Sequence, residues 1–361
     1  MAPFHAWPSI AFIGSAGIPN RYGGFESFLE NVTPQMVRQG QAVLVTCDAR
    51  LYGGEAGGFK GVERIFINLP ANGGLSPLHD MLAFLRVAGR VDVVVVLGVS
   101  AGPFFPFMRI AAALLGRRLV VNIDGVEWRR AKFGVVKRWL LRSFDALAQV
   151  SAHAVVYDNP ALLEFVHPAF RHKAHYIAYS GDHVQRLPAD TSAPRTTALT
   201  ICRIEPENNL GMLIEGALAS DLTRYTIIGN WNHGTYGQAL REKYHGQARI
   251  EMLDPVYDPA IIARWREDCA VYLHGHSVGG TNPSLVEMLF YDAAILCFDC
   301  SFNRATAGAR AVYFSNSAQL ARCIDQSLLS GPKQHEPPAE FTAERIAARY
   351  LAVTASAGPA R

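Results

Sequence analysis

The chain has 361 residues, half of them hydrophobic and 18% charged, a balance that excludes a disordered protein. Its length exceeds what one hydrophobic core usually serves, so two domains of roughly 150 to 200 residues are expected. A net charge of +3 with no long lysine or arginine tract is too mild to imply nucleic acid by itself; none is expected as a partner, and any basic function must be local. The six cysteines (Cys47, Cys202, Cys269, Cys297, Cys300, Cys323) are scattered, nearly all in apolar segments, which fits a reduced, cytoplasmic setting. Cys297-Phe-Asp-Cys300 with His274 and His276 invites a zinc reading. The pair falls on a predicted strand, where residues three apart point to opposite faces, and no second pair brackets it, so no metal is expected. The N-terminus lacks a basic region followed by a long apolar one, and no signal peptide is expected. The longest uncharged apolar run, 93–108, is broken by Gly98, Gly102, Pro103 and Pro106 and reads as strand, loop and helix start, not a membrane span.

Taken in chain order, the runs at 9–13, 42–46, 91–97, 118–123 and 154–157 are continuous and apolar, the signature of strands buried on both faces of a parallel sheet. Helical patterns lie between and after them, at about 25–39, 78–88, 105–115, 135–151 and 160–166. This alternation predicts a doubly wound α/β domain. Residues 181–197 are polar, contain Pro188 and Pro194 and have no period, so they read as a linker or hinge. The alternation then restarts with strands at 198–201, 225–228, 249–252, 269–273, 294–298 and 311–314, and helices near 209–219, 260–267, 283–291 and 317–329. A last helix at 342–355 is expected to pack back across the junction. The division predicted is 1–181, with 342–361, and 182–341.

The richest segment is His274-Gly-His-Ser-Val-Gly279-Gly280-Thr281-Asn282-Pro283-Ser284-Leu285-Val-Glu287. It reads as a strand end, a glycine turn and a helix start, with Asn282 as N-cap and Pro283 as first helical residue. Gly279 and Gly280 let backbone pass close to a ligand, and a helix N-terminus favours an anion in front of it. Glu287, about one turn further in, could accept hydrogen bonds from a sugar diol. Phosphate and ribose recognised on one element suggest a nucleotide.

Three more strand ends carry candidate chemistry. Gly14-Ser-Ala-Gly17-Ile-Pro-Asn-Arg21-Tyr22-Gly23-Gly24-Phe-Glu26 leaves the first strand; it is either a flexible turn or a glycine lip whose Arg21 and Tyr22 meet phosphate or sugar. Its spacing is not that of a dinucleotide fingerprint. Cys202-Arg203-Ile-Glu205-Pro-Glu207-Asn208-Asn209 puts a forked cation at the next domain's first strand end, where Arg203 either binds phosphate or pairs with Glu205 or Glu207. Asn122-Ile-Asp124-Gly-Val-Glu127-Trp128 offers Asp124 as an acceptor-binding or base group, or as a simple turn former; Glu127 has the same ambiguity. The following stretch interleaves Arg129, Arg130, Lys137 and Arg138 with Phe133, Trp139 and Leu140. On a helix this makes a basic, aromatic-edged surface suited to anionic lipid headgroups, or an ordinary solvated face. His153, His167, His172, His175 and His183 have no motif company and read as structural.

Four of these segments together, 17–26, 122–128, 203–209 and 274–287, resemble the bacterial branch of glycosyltransferase family 4 that contains rhamnosyltransferases of capsule and cell-wall polysaccharide synthesis. The resemblance spans nearly the whole chain. It implies the GT-B fold, two Rossmann-like domains facing across a cleft, with a nucleotide-sugar donor held mainly by the C-terminal domain and a lipid-linked glycan acceptor by the N-terminal one. It further implies no metal requirement, retention of anomeric configuration and work at the inner face of the bacterial cell membrane, with rhamnose from dTDP-rhamnose as the leading donor. By the same resemblance Glu287 holds the ribose; Arg203 and the 279–284 turn, with Asn208 and Leu285 alongside, hold the diphosphate. Gly17, Gly23 and Gly24, with Arg21 and Tyr22, face the donor phosphate. Asp124 stands where many relatives carry a histidine near the reacting sugar, and Glu127, Trp128, Arg129, Arg130, Lys137 and Arg138 lie toward acceptor and membrane. The chain also departs from the wider pattern. Gly279 replaces the first glutamate of a pair, Asn208 replaces a lysine, Met288-Leu-Phe-Tyr-Asp292 stands where small residues and a glycine are expected, and Ala305 replaces a glutamate.

Overall fold

The computed structural model describes residues 8–21, 23–53, 57–129, 133–188, 195–232, 234–331 and 336–356. The chain forms two compact units, Met1–Ser180 with Glu340–Arg361, and Gly181–Ala339.

Unit 1 runs β1 (Ile10–Ile13), α1 (Gly24–Arg38), β2 (Val43–Asp48), α2 (Ala49–Tyr52), β3 (Glu63–Ile67), α3 (Ser76–Val87), β4 (Val93–Leu97), α4 (Phe105–Leu114), β5 (Arg118–Asn122), α5 (Val135–Ser151), β6 (Ala154–Tyr157) and β7 (Ala174–Tyr176). The strands form one parallel sheet in the order β3-β2-β1-β4-β5-β6-β7, with Ile10 paired to Val43 on one side and Val93 on the other. β1, β2, β4 and β6 are buried at every position, because helices cover both faces of a doubly wound sheet and leave no polar side to alternate. β3 and β7 were not predicted. They are the two edges of the sheet, and neither carries the continuous buried run of the central strands. The predicted helix at 160–166 is a 3-10 turn, Pro160–Phe165, started by the Asn159 side chain on the Ala161 N–H.

Unit 2 runs β8 (Thr197–Ile201), α6 (Leu210–Leu218), β9 (Arg224–Ile228), α7 (Thr235–Lys243), β10 (Ile250–Leu253), α8 (Pro259–Asp268), β11 (Val271–His274), α9 (Pro283–Met288), β12 (Ala294–Phe298), α10 (Ser301–Ala307), β13 (Ala311–Phe314) and α11 (Ser317–Ser330). Its sheet is also wholly parallel, β10-β9-β8-β11-β12-β13. The core gathers Leu210, Leu213 and Ile214 of α6, Leu320 and Ile324 of α11 and Trp231 against the strands. The last helix, α12 (Ala343–Ser356), belongs to unit 1 and packs on α1. There Phe12, Phe28 and Tyr350 stack edge-on or tilted, with centroids 5.2 to 6.1 Å apart.

Candidate functional site

Each sheet reverses its strand order once, between β1 and β4 in unit 1 and between β8 and β11 in unit 2. In open α/β sheets the loops outside the carboxyl ends of the strands at such a point form the ligand crevice. All four sequence motifs leave strands at or beside these two points.

In unit 2 the β8 loop and the β11 loop are fastened to each other. Ser277 donates its N–H and its hydroxyl to the Glu207 carbonyl, both at 2.9 Å. The Asn208 side chain donates to the Arg203 carbonyl at 2.6 Å, and its oxygen lies 3.0 Å from His276 Nδ1. Asn209, at φ +50°, donates to the Gly275 carbonyl at 2.8 Å. Gly275 is required here, since a Cβ would run into the Asn208 carbonyl. Asn208 is therefore a loop fastener with both ends of its amide engaged. The Arg203 guanidinium projects outward, 64% exposed, with only a loose 3.9 Å approach to Glu205. A held backbone with an exposed, permanently charged fork is suited to phosphate.

The glycine turn ends at Asn282, whose side chain caps α9 by accepting from the Ser284 N–H at 3.1 Å and the Ser284 hydroxyl at 2.7 Å. α9 has six residues, not the nine predicted, because 288–291 tighten into i→i−3 bonds: Phe290 N to Glu287 O and Tyr291 N to Met288 O. So short a helix carries a weak dipole, and the attraction for an anion falls on the loop and Arg203. Leu285 leaves the ligand set: its side chain is wholly buried and its N–H donates to the Asn282 carbonyl. Thr281 is buried at the turn, and Gly279 holds φ +138° beside the His276 ring.

Glu287 is the most constrained side chain of the set. Its Oε2 takes the Arg266 guanidinium of α8, and its Oε1 lies 3.2 Å from His183 Nε2. Burial alone would push its carboxyl up, but the Arg266 charge and the His183 imidazole outweigh that and hold it below the ordinary range. His183, which the sequence reading set aside, thus sits at the centre of the site, and Arg266 was not foreseen at all. The segment that follows the unit boundary lies along α9. A Cβ at Gly181 would come within 2.9 Å of Val286 and Phe290. Arg186 donates to Glu267 at 2.6 Å, to the Phe290 carbonyl at 2.5 Å and to Asp292 at 2.9 Å. The Tyr291 hydroxyl donates to the Gln185 carbonyl at 2.6 Å. Its ring faces both Arg186 and Arg266, 5.1 and 5.7 Å from the centroid. The bulky Phe290-Tyr291-Asp292 run, a departure from the family pattern, is the anchor of this arginine cluster.

His274 and His276 do not make a proton relay. His274 is fully buried and pushed down to about 3 by burial and by His276, so it is neutral at physiological pH. Cys297 is buried on β12, and the Cys300 thiol reaches the His276 carbonyl at 3.6 Å. Among the described residues no group of three or more His, Cys, Asp or Glu is placed to hold a metal ion. Glu207 has both carboxylate oxygens buried with no hydrogen-bond partner.

In unit 1 the glycine loop rests on Glu26. This buried carboxylate accepts the Ala16 N–H at 2.6 Å and the N–H of Gly23. Burial raises its pKa, the backbone bonds offset only part of that, and the Asp124 charge adds to the rise. A carboxylate thus takes the Gly23 N–H at the mouth of α1, where the sequence reading placed a donor phosphate. Gly17, at φ +117°, is pressed on Cys47 of β2, and the Tyr52 hydroxyl donates to the carbonyls of Gly17 and Pro19 at 3.0 and 2.7 Å. Arg21 turns away onto α2, donating to the Leu51 carbonyl at 2.6 Å over the Tyr52 ring. Tyr22, Arg130 and the side chain of Glu127 lie outside the described residues. Asp124 takes φ +57°, its N–H on the Asn122 side chain at 2.9 Å, and Asn122 in turn donates to Tyr350 of α12 at 3.0 Å. Asp124 lines a groove with Val99, Ile123, Trp128, Leu141 and Asp145. Trp128 is fixed there by its bond to buried Asp145 at 3.3 Å, with Arg142 over its ring.

α4 and α5 pack side by side. Their outer residues Phe107, Ile110, Leu114, Val135, Val136 and Trp139 are all at least half exposed. The only acidic residue of either helix is Asp145, which is buried. Lys137 and Arg138 sit among these apolar residues, Lys137 over the Phe133 ring at 4.1 Å, while Arg129 lies over Phe165. Among the described residues no helix is long and apolar enough to cross a membrane.

The two parallel α/β units and the closing helix α12 define the fold class as GT-B. Across nearly the whole chain the fold is similar to that of sucrose-phosphate synthase from Thermosynechococcus elongatus, with 12% identity, TM-score 0.69 and 96% and 94% of the two chains covered. It is also similar to HepE of Anabaena in complex with UDP and glucose, with 16% identity, TM-score 0.66 and 97% and 95% covered. A third likeness is to the catalytic domain of starch synthase IV from Arabidopsis thaliana bound to ADP and acarbose, with 10% identity, TM-score 0.64 and 97% and 99% covered. Residues 8–182 match the family model described as a domain of unknown function, DUF1972. No curated protein sequence matches the chain.

Proposed function

We propose that the chain is a glycosyltransferase that moves a sugar from a nucleoside diphosphate to a lipid-linked glycan, with rhamnose from dTDP-rhamnose as the leading donor. The observation that carries this reading is the presence, beyond the strand ends at one unit's switch point, of an outward-facing Arg203 and an ionised, largely buried Glu287 about one turn into α9. A cation for the diphosphate and a fixed acceptor for ribose hydroxyls are what a nucleotide sugar requires. The resemblance of four motifs to glycosyltransferase family 4 supports the reading, as do fold relatives solved with UDP and glucose or with ADP. Stabilising the departing diphosphate by Arg203 and loop N–H groups is then the main catalytic contribution, with no metal required and retention of configuration. In unit 1, Asp124 puts an acidic group beside the switch point, which suits a hydroxyl-bearing acceptor better than a second phosphate contact. The apolar and basic α4–α5 face suits an anionic membrane at the inner face of the cell envelope.

The test is incubation of the purified protein with a panel of nucleotide sugars, with and without a lipid-linked acceptor and with and without EDTA, products being identified by mass spectrometry. Transfer that needs the acceptor and survives EDTA is expected. Conversion of donor without acceptor would mark an epimerase, and donor binding with no product would mark a scaffold; either sinks the transferase reading. Arg203→Ala is expected to lower turnover while leaving the melting temperature unchanged, since the side chain is exposed and loosely paired.

A further inference from the structure

Glu287 cannot keep its charge unaided: it is largely buried, and one partner comes from α8 and the other from the segment after the unit boundary. The geometry points to Arg266 as a positioning residue that fixes Glu287 in orientation and charge so that it can accept from a donor's ribose hydroxyls, with Tyr291 and Arg186 locking the cluster behind it. This rests on the donor-binding reading of Glu287.

Arg266 is almost wholly buried, which is expensive for a guanidinium unless it is paired. It reaches Glu287 from α8 and lies against the Tyr291 ring. The groups facing Glu287 are Arg266, His183, Tyr272 and Tyr291; Arg266 makes the largest contribution that favours the carboxylate, and burial is the larger force opposing it. Without Arg266 burial wins, Glu287 takes up a proton, and a protonated carboxyl presents an O–H donor where the ribose needs an acceptor. Raising the pH removes that proton and restores the acceptor.

The test begins without nucleotide. Infrared difference spectra across a pH series, with the protonated-carboxyl band assigned by its loss in Glu287→Gln, should show Glu287 of the wild type still ionised at pH 4.5, the ordinary midpoint of a glutamate. In Arg266→Gln the band should be present at neutral pH, and in Arg266→Lys it should be absent again. UDP, ADP and dTDP affinities then follow the band: in Arg266→Gln weaker by about tenfold near neutrality and recovering toward about pH 9, against a flat wild-type profile. A Glu287 protonated at neutral pH in the wild type, or ionised at neutral pH in Arg266→Gln, overturns the proposal. The wild-type arm stands even if the glutamine variant does not fold. If the band shifts as stated but Glu287→Gln binds all three nucleotides like the wild type, the charge-holding role survives and the ribose reading fails.

Discussion

Two glutamates, Glu26 buried and Glu287 largely so, stand beneath two glycine loops, and they are held in opposite ways. Glu26 in unit 1 is met by backbone N–H groups and by the like charge of Asp124, and its pKa rises. Glu287 in unit 2 is met by a guanidinium and an imidazole, and its pKa falls. Burial pushes both upward, so the sign is decided by whether a partner carries a full charge or only a dipole. Glu26 therefore behaves as a structural peg for a loop, whereas Glu287 is maintained as a charged acceptor. A charge kept in the interior with two dedicated partners asks for a ligand more strongly than a peg does.

The largest break in this contrast should come from Arg266→Met. Stripping Glu287 of its guanidinium partner, with His183 left beside it, should destabilise unit 2 by about 3–5 kcal/mol, and the double variant Arg266→Met with Glu287→Gln should recover most of it. Urea unfolding measures both. If the single and double variants are equally unstable, the pair is not the source of the loss, and Arg266 matters only for packing.

Backbone substitutions probe the loops themselves. Gly17→Ala places a Cβ 2.6 Å from Cys47 Sγ and 2.8 Å from its Cα at φ +117°, so β2 backbone would have to shift, at a cost of about 1–3 kcal/mol. Gly279→Ala, at φ +138°, meets only the His276 ring, 2.9 Å away, a side chain and not backbone. We expect Gly17→Ala to lower the melting temperature more, and Gly279→Ala to lower nucleotide affinity more. The reverse order would place the ligand against the unit 1 loop.

The pH dependence of stability separates the glutamates more gently. With a folded pKa raised above 4.5, Glu26 gives stability that is present below about 4.5 and lost as pH rises through the folded value. With a folded pKa below 4.5, Glu287 gives stability that is present above 4.5 and lost as pH falls through its own folded value. Relative to the wild type, Glu26→Gln should therefore gain as pH rises from 4.5 toward neutrality. Glu287→Gln should be worst near neutrality and approach the wild type in acid, each change being about 1 kcal/mol. Parallel profiles for the two variants would show that the two sites are not held differently after all.

Much of the fold was legible because a doubly wound sheet writes itself as continuous apolar runs. Ile10–Ile13 and Val93–Leu97 needed no periodicity argument once every position was to be buried. What failed was at the margins: β3 and β7 are sheet edges, and α7, with Gly237 inside a polar sequence, shows little apolar stripe. Around the candidate site, what was legible was local placement: the Asn282 cap, the Gly279 turn and Glu287 inside α9 in the segment after β11, and Arg203 just beyond the end of β8. The sequence hid what comes from other elements. Arg266 stands 21 residues before Glu287 on a separate helix, and His183 belongs to a stretch that has no period. Phe290-Tyr291-Asp292 departs from the pattern of the family it resembles with nothing nearby in the sequence to explain it, since its partner Arg186 is 104 residues upstream of Phe290.

The smallest effect on stability should accompany the clearest division of labour between the units. Leu114 is 83% exposed and Trp139 68% exposed on the α4–α5 face, so replacing both by serine removes almost no packing and should change the unfolding free energy by less than about 0.5 kcal/mol. It removes two well-exposed large apolar residues from a face whose helices expose no acidic residue. Co-sedimentation with vesicles containing anionic lipid should therefore fall sharply, more than for Lys137→Ser with Arg138→Ser at high salt, where the electrostatic part is already screened. UDP, ADP and dTDP affinities should stay at the wild-type level, because Arg203 and Glu287, the two charged side chains proposed to meet the nucleotide, lie in unit 2. Unchanged sedimentation would make the face an ordinary solvated surface. Sedimentation lost together with nucleotide affinity would mean that the face serves the integrity of the whole chain and does not act as a surface of unit 1 alone.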